Sequence, residues 1–217
     1  MGYILEALAE YVFMLSIFIV IEIIICFYYK KKGVVIKKGF IIGWQLLACL
    51  MTMIFSITGA SGISDIGNHG KAIIRLDEIN LIPIIKWGIG DLFGVIMNII
   101  MFIPFGIGIP LLWKNRTTFV RTTFVGFVFS LLIEISQLFN FRATDIDDLI
   151  MNTLGTMIGY GIYYLLLRKI TIFQMDNSNK KKVLKNTALI NVVTIFGTYF
   201  FIGNSIINLI WRSIYKY

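Results

Sequence analysis

The sequence predicts an all-α integral membrane protein of about six transmembrane helices with an outer interfacial segment, and three observations carry that prediction. Hydrophobic residues make up 58% of the 217-residue chain. Apolar runs of about 19 or more residues recur where a globular domain would show amphipathic stripes. Between those runs the lysines and arginines gather into a few short, strongly basic stretches.

Taken in order, the first run is Leu8 to Tyr28. It lacks a basic stretch ahead of it and carries Glu6 and Glu10 around its start, so it reads as a retained helix rather than a cleaved signal. The second is Phe40 to Thr58, and together the two form an N-terminal membrane segment over residues 1–60. Residues 61–91 are too polar to span and too apolar for a plain linker. Within them Ala72, Ile73, Ile74, Leu76, Ile79 and Leu81 alternate with Lys71, Arg75, Asp77 and Glu78, which suits a helix lying on the outer interface and ending at Pro83. It serves either as a lid or as a tether. Leu92 to Leu112, Thr122 to Phe141 and Leu149 to Leu167 make a three-helix core over residues 92–167. A basic loop and a last span, Thr187 to Ile210, occupy residues 168–217.

The basic residues set the orientation. Lys30, Lys31, Lys32, Lys37 and Lys38 separate spans one and two; Lys114, Arg116 and Arg121 separate three and four; Arg168, Lys169, Lys180, Lys181, Lys182 and Lys185 separate five and six. These are 14 of the 20 basic residues, with Asp176 as the only acid among them. Such loops face the cytoplasm, which puts the protein in the cell membrane as a multi-pass chain with both termini extracytoplasmic. Trp44 and Trp113 fall near the inner ends of their spans and Trp87 and Trp211 near the outer interface, as membrane-belt residues do. The net charge of +8 thus reflects topology and attraction to anionic lipid, and calls for no nucleic acid.

One stretch is out of character with this apolar chain. From Glu134 to Gly159 the sequence packs Glu134, Gln137, Arg142, Asp145, Asp147, Asp148 and Asn152 between and into two apolar helices. A charge near the bilayer centre costs roughly 2.5–3.5 kcal/mol on insertion scales, so such groups are matched by partners or by a wet cavity. Ser130, Glu134 and Gln137 share one helix face, with Glu134 about 10 Å below the end of a span that runs to Phe141. Asp145, Asp148 and Asn152 share another if the next helix begins early. Asp91 and Asn98, seven apart, add an acid and an amide on one side of span three, where Pro104 is expected to kink the helix and open its outer half into a cavity. Asn98 and Asn152 fit helix bridging as well as a site.

The combination Asn80-Leu81-Ile82-Pro83, Asn98 with Phe102, Pro104 and Gly106, Glu134 with Gln137, then Arg142, Asp145, Asp148, Asn152, Gly155 and Gly159 resembles the VanZ-like membrane proteins. The resemblance runs from about Asn80 to Leu167, leaving spans one, two and six outside it. It implies a Gram-positive type envelope protein associated with resistance to teicoplanin and related glycopeptides, acting without making the altered peptidoglycan precursor itself.

The chemistry of the cluster is bounded by its donors. Carboxylates and amides accept only a hard ion such as Mg2+ or Ca2+, and no zinc site or resident cofactor is expected. His69 sits among glycines in the manner of a turn residue, Cys26 and Cys49 read as packing residues within spans, and Glu22 is expected to pair with a lysine of the first inner loop. Gly155 and Gly159 form a G-x-x-x-G step for close helix packing. In an enzymatic reading the catalytic candidates are Glu134 as general acid or base, with Asp145 and Asp148 binding a cation or orienting substrate. The binding candidates are Gln137, Arg142, Asp147, Asn152, Asn98 and Asp91. Arg142 either holds an anionic group or clasps an acid within the loop.

Three functions fit these residues. An outward-facing polar pocket binds or modifies a headgroup or peptide, the ligand being a membrane lipid, a lipid-linked envelope intermediate or the glycopeptide. Alternatively the same residues only lock helices together in an assembly protein. A small transporter is the third, weakened by the lack of an inverted repeat.

Overall fold

The computed structural model describes residues 2–34, 36–67, 79–80, 89–114, 117–140, 144–174, 186–203, 205–206 and 209. Its elements are α1 (Gly2–Lys31), α2 (Lys38–Thr58), a 3-10 turn (Ile63–Asp65), β1 (Ile79–Asn80), α3 (Ile89–Trp113), α4 (Phe119–Gln137), β2 (Thr144–Asp145), α5 (Ile146–Ile162) and α6 (Thr187–Thr198). Single π-helical turns, Tyr163–Leu167 and Tyr199–Gly203, extend α5 and α6. Five helices are long and apolar enough to cross a membrane, and a shorter apolar one covers Thr187–Gly203. The expected six-helix membrane architecture is therefore present, and the described part of the sixth helix falls within the Thr187–Ile210 span the sequence predicts.

The helices share a polar end, where α4 hands over to α5, and a basic end, where Lys38 begins α2 and Arg168 follows α5. At the basic end the Lys114 ammonium donates to the Arg168 carbonyl, fixing the end of α3 to the end of α5. At the core, Phe129 of α4 stacks on Phe105 at 4.8 Å and packs on Phe55 of α2 at 5.5 Å. Lipid tails are as apolar as these rings, so what holds the helices together is tight packing and interhelical hydrogen bonds rather than escape from water.

The closest helix pair is α3 with α5, and glycine makes it possible. A Cβ added at Gly155 would run into the Ile99 carbonyl oxygen, one at Gly159 into the Ile103 carbonyl oxygen, and one at Gly106 into the Thr156 carbonyl oxygen. The G-x-x-x-G step thus faces α3, and Gly106 answers it from the other side.

Four expectations change here. Trp44 and Trp113 are 1% and 2% exposed and belong to the core rather than to a membrane belt. Trp44 donates to Asn191 Oδ1 at 2.8 Å and packs edge-on to Phe18, while Trp113 packs edge-on to Phe40. Among the described residues Glu22 meets no lysine: it lies eight residues, about 12 Å, before Lys30, the nearest one of the first inner loop, and accepts instead from Gln45 Nε2 across the α1–α2 interface at 2.5 Å. Helix α4 ends at Gln137 rather than Phe141, since Phe139 and Asn140 turn back with N–H bonds to Ser136 and Gln137 and Asn140 spends its side chain on Gly59. Finally, Ile79 and Asn80 are strand and not helix, because their backbone pairs in parallel with Thr144 and Asp145. Residues 68–78 and 81–88, with His69, Trp87 and most of the expected interfacial helix, lie outside the described residues, as does Trp211.

Candidate functional site at the polar end

The predicted condition for two facing polar surfaces is met, because α5 begins at Ile146, three residues before the predicted span. Asp145 is its N-cap, accepting from the Asp147 N–H at 2.9 Å. With Asp147 and Asp148 in the first turn, three carboxylates sit against the positive end of the helix dipole, which favours anionic groups there.

Below them lies Glu134, 3% exposed and one turn, roughly 5 Å, from the end of α4. Its Oε2 accepts the Asp145 N–H at 3.0 Å, and its own carbonyl accepts from Thr144 Oγ1 at 3.1 Å. The carboxylate is thus bound to the backbone of β2, the strand whose register sets Asn80 opposite Asp145. A second tie joins α3 to α5, where Asn98 Nδ2 donates to Asp148 Oδ1 at 2.6 Å. A third joins α5 to α4, where Asn152 Nδ2 donates to Ser130 Oγ at 2.9 Å. Among the described residues, Asn152 Oδ1 is buried without a donor.

Gln137 departs from this group. Its amide donates to the Thr58 carbonyl at 2.7 Å, Asn140 donates to the Gly59 carbonyl at 2.8 Å, and Ser136 Oγ accepts the Ser61 N–H at 3.1 Å. The two amides satisfy carbonyls at the end of α2, which have no partner within their own helix, and Ser136 holds the chain that follows. Gly59 makes that end possible by adopting a left-handed φ of 67° and bonding back to Phe55.

Of the residues singled out from sequence, the structure brings Glu134, Asp145, Asp147, Asp148, Asn98 and Asn152 to one end of the α3–α4–α5 core and turns Gln137 towards α2. Asp91 lies in the first turn of α3. Arg142 lies outside the described residues. Thr144, Ser136 and Asn140 take part in the network without having been singled out. Asn140 had a signal, an amide at the end of a predicted apolar span; the two hydroxyls had none. Among the described residues no three His, Cys, Asp or Glu side chains converge as metal ligands.

The larger cavity, about 310 Å³, is elsewhere, between α2 and α3 towards the basic end, with Pro104 on its wall. Pro104 stays within one continuous helix, and the space beside it faces α2 rather than the predicted outer half. A smaller cavity of about 70 Å³ lies beside Arg121 and Asn186.

A family model described as VanZ/LLP1 matches residues 40–168. That match includes α2, which the motif residues alone left outside, in keeping with the packing of α2 on α3 and α4. Protein VanZ of Enterococcus faecium is 39% identical to the chain over 89 residues, 41% of this chain and 53% of that protein, so the match spans about half the relative's length. No solved structure matches.

Proposed function

The chain belongs to the VanZ/LLP1 family, and from that premise we propose that it contributes to glycopeptide resistance, of the teicoplanin type, by recognising an envelope lipid or peptide headgroup at the polar end of α3, α4 and α5. The observation that carries this reading is the arrangement at the start of α5. Three carboxylates occupy one turn, with Glu134 fixed beneath them by the Asp145 N–H. Such an end offers acceptors to ammonium, amide and hydroxyl donors, the groups that a lipid-linked peptide or a glycopeptide presents. In the proposed orientation the basic end is cytoplasmic, so the polar end faces the outer leaflet where those molecules are found.

A second reading has its own observation. Asn98 pairs with Asp148 and Asn152 with Ser130, bonds that join α3 to α5 and α5 to α4. In that reading the cluster only locks the core, and resistance is exerted through another surface.

One experiment separates the two. The chain and its Glu134→Gln, Asp145→Asn and Asp148→Asn variants are expressed in a susceptible Gram-positive host, with membrane levels measured. The expected result is a raised inhibitory concentration for teicoplanin, a smaller rise for vancomycin, and loss of the effect in the variants at unchanged protein level. Unchanged resistance in all three variants favours the locking role, and no resistance with the parent chain removes the glycopeptide assignment itself.

A further inference from the structure

The α2–α3 cavity is an apolar groove that runs towards the basic end of the helices. Its walls include Gly43, Leu47 and Leu50 on α2, Pro104 and Gly108 on α3, and Phe173 from the segment after α5. Its volume of about 310 Å³ is at the lower end of the range of ligand sites. Two glycines let side chains of the facing helix come close along its walls: a Cβ at Gly43 would meet Leu112 Cδ2 at 2.8 Å, and one at Gly108 would meet Leu47 Cδ1 at 3.3 Å.

Its direction and its mouth identify the occupant. From Lys38, at the start of α2, to Leu50 is twelve residues, roughly 18 Å of helix, comparable with the ~15 Å hydrocarbon depth of one leaflet. At the mouth, the first turn of α2 lies against Ile172, and Lys114 is bonded to the Arg168 carbonyl, so Lys37, Lys38, Lys114 and Lys169 belong to chain segments that meet there. Among the described residues no Asp or Glu lies at that end. We propose that this groove binds an anionic phospholipid of the leaflet at the basic end, one acyl chain lying between α2 and α3 and the phosphate among the lysines. A peptide segment would bring backbone groups into a lining that has few partners for them, whereas an acyl chain brings none.

The test is native mass spectrometry of the full chain in mild detergent, offered phosphatidylglycerol or phosphatidylcholine of equal chain length. Phosphatidylglycerol is expected to be retained about tenfold more. The combined Lys37→Gln, Lys38→Gln, Lys114→Gln and Lys169→Gln variant should bring it down to the phosphatidylcholine level. Gly108→Leu and, separately, Leu50→Phe add bulk to the groove lining, and each should lower retention of both lipids, with helical content confirming the fold. Equal retention of the two lipids by the parent chain overturns the proposal. So does a loss seen with the lysine variant but not with either groove variant, which would mean attraction at the surface alone. A dimer that Gly108→Leu abolishes would assign the groove to a second copy of the chain and overturn it equally.

Discussion

At the scale of residues, Glu134, Gln137, Asn140, Asn98 and Asn152 at the polar end each make a hydrogen bond to another element. The Asn98–Asp148 bond tests how much such commitment is worth. Interhelical hydrogen bonds in membranes contribute about 0.6 kcal/mol on average, up to about 1.7. The bond here is short and charge-assisted, so a double-mutant cycle on Asn98→Leu and Asp148→Leu should give a coupling of about 1–2 kcal/mol in reversible unfolding in mixed micelles. A coupling near zero would mean that the pair does not hold α3 to α5. Sequence reading found these residues because polar side chains stand out in an apolar chain and helix periodicity tells which share a face. It could not tell what each one meets. Gln137 lies on the same face as Ser130 and Glu134, yet its amide caps α2, and Glu22 turns to Gln45 because the nearest lysine along α1, eight residues away, is out of reach.

At the scale of elements, the α3–α5 seam decides whether the site exists at all, since Asn98 and Asp148 meet only if the two backbones come close. Gly155→Leu forces a side chain against the Ile99 carbonyl, and overpacking of this kind costs about 1–3 kcal/mol or more. Thermal unfolding of that variant should shift down by several degrees or the protein should fail to accumulate. Gly161→Ala is the control: its added methyl group meets nothing within 4 Å, so its melting temperature should stay within a degree or two. The G-x-x-x-G spacing was legible in the sequence, but its partner was not, because a small-residue step shows only that some neighbour comes near. Helix ends were less legible than helix centres. Whether α4 stops at Gln137 or Phe141 rests on Asn140 reaching Gly59, a contact between positions 81 residues apart.

At the scale of the whole molecule, the six-helix membrane architecture was readable from run length alone, because bilayer thickness dictates it. Orientation is testable directly. With Cys26 and Cys49 replaced by alanine, Ser178→Cys should be shielded from an impermeant thiol reagent in intact cells, while Gly67→Cys and Thr144→Cys should be labelled. The reverse pattern would put the carboxylates of α5 on the cytoplasmic side. The two-residue ladder of Ile79–Asn80 with Thr144–Asp145 has a consequence in time. Its strands lie 65 residues apart, so at ordinary synthesis rates β2 emerges roughly 3–13 s after β1. Until then β1 has no strand partner and Glu134 no Asp145 N–H. Nascent chains halted before Thr144 should therefore insert α3 and α4 without the tie that closes the polar end, and that end stays open until β2 and the start of α5 have been made.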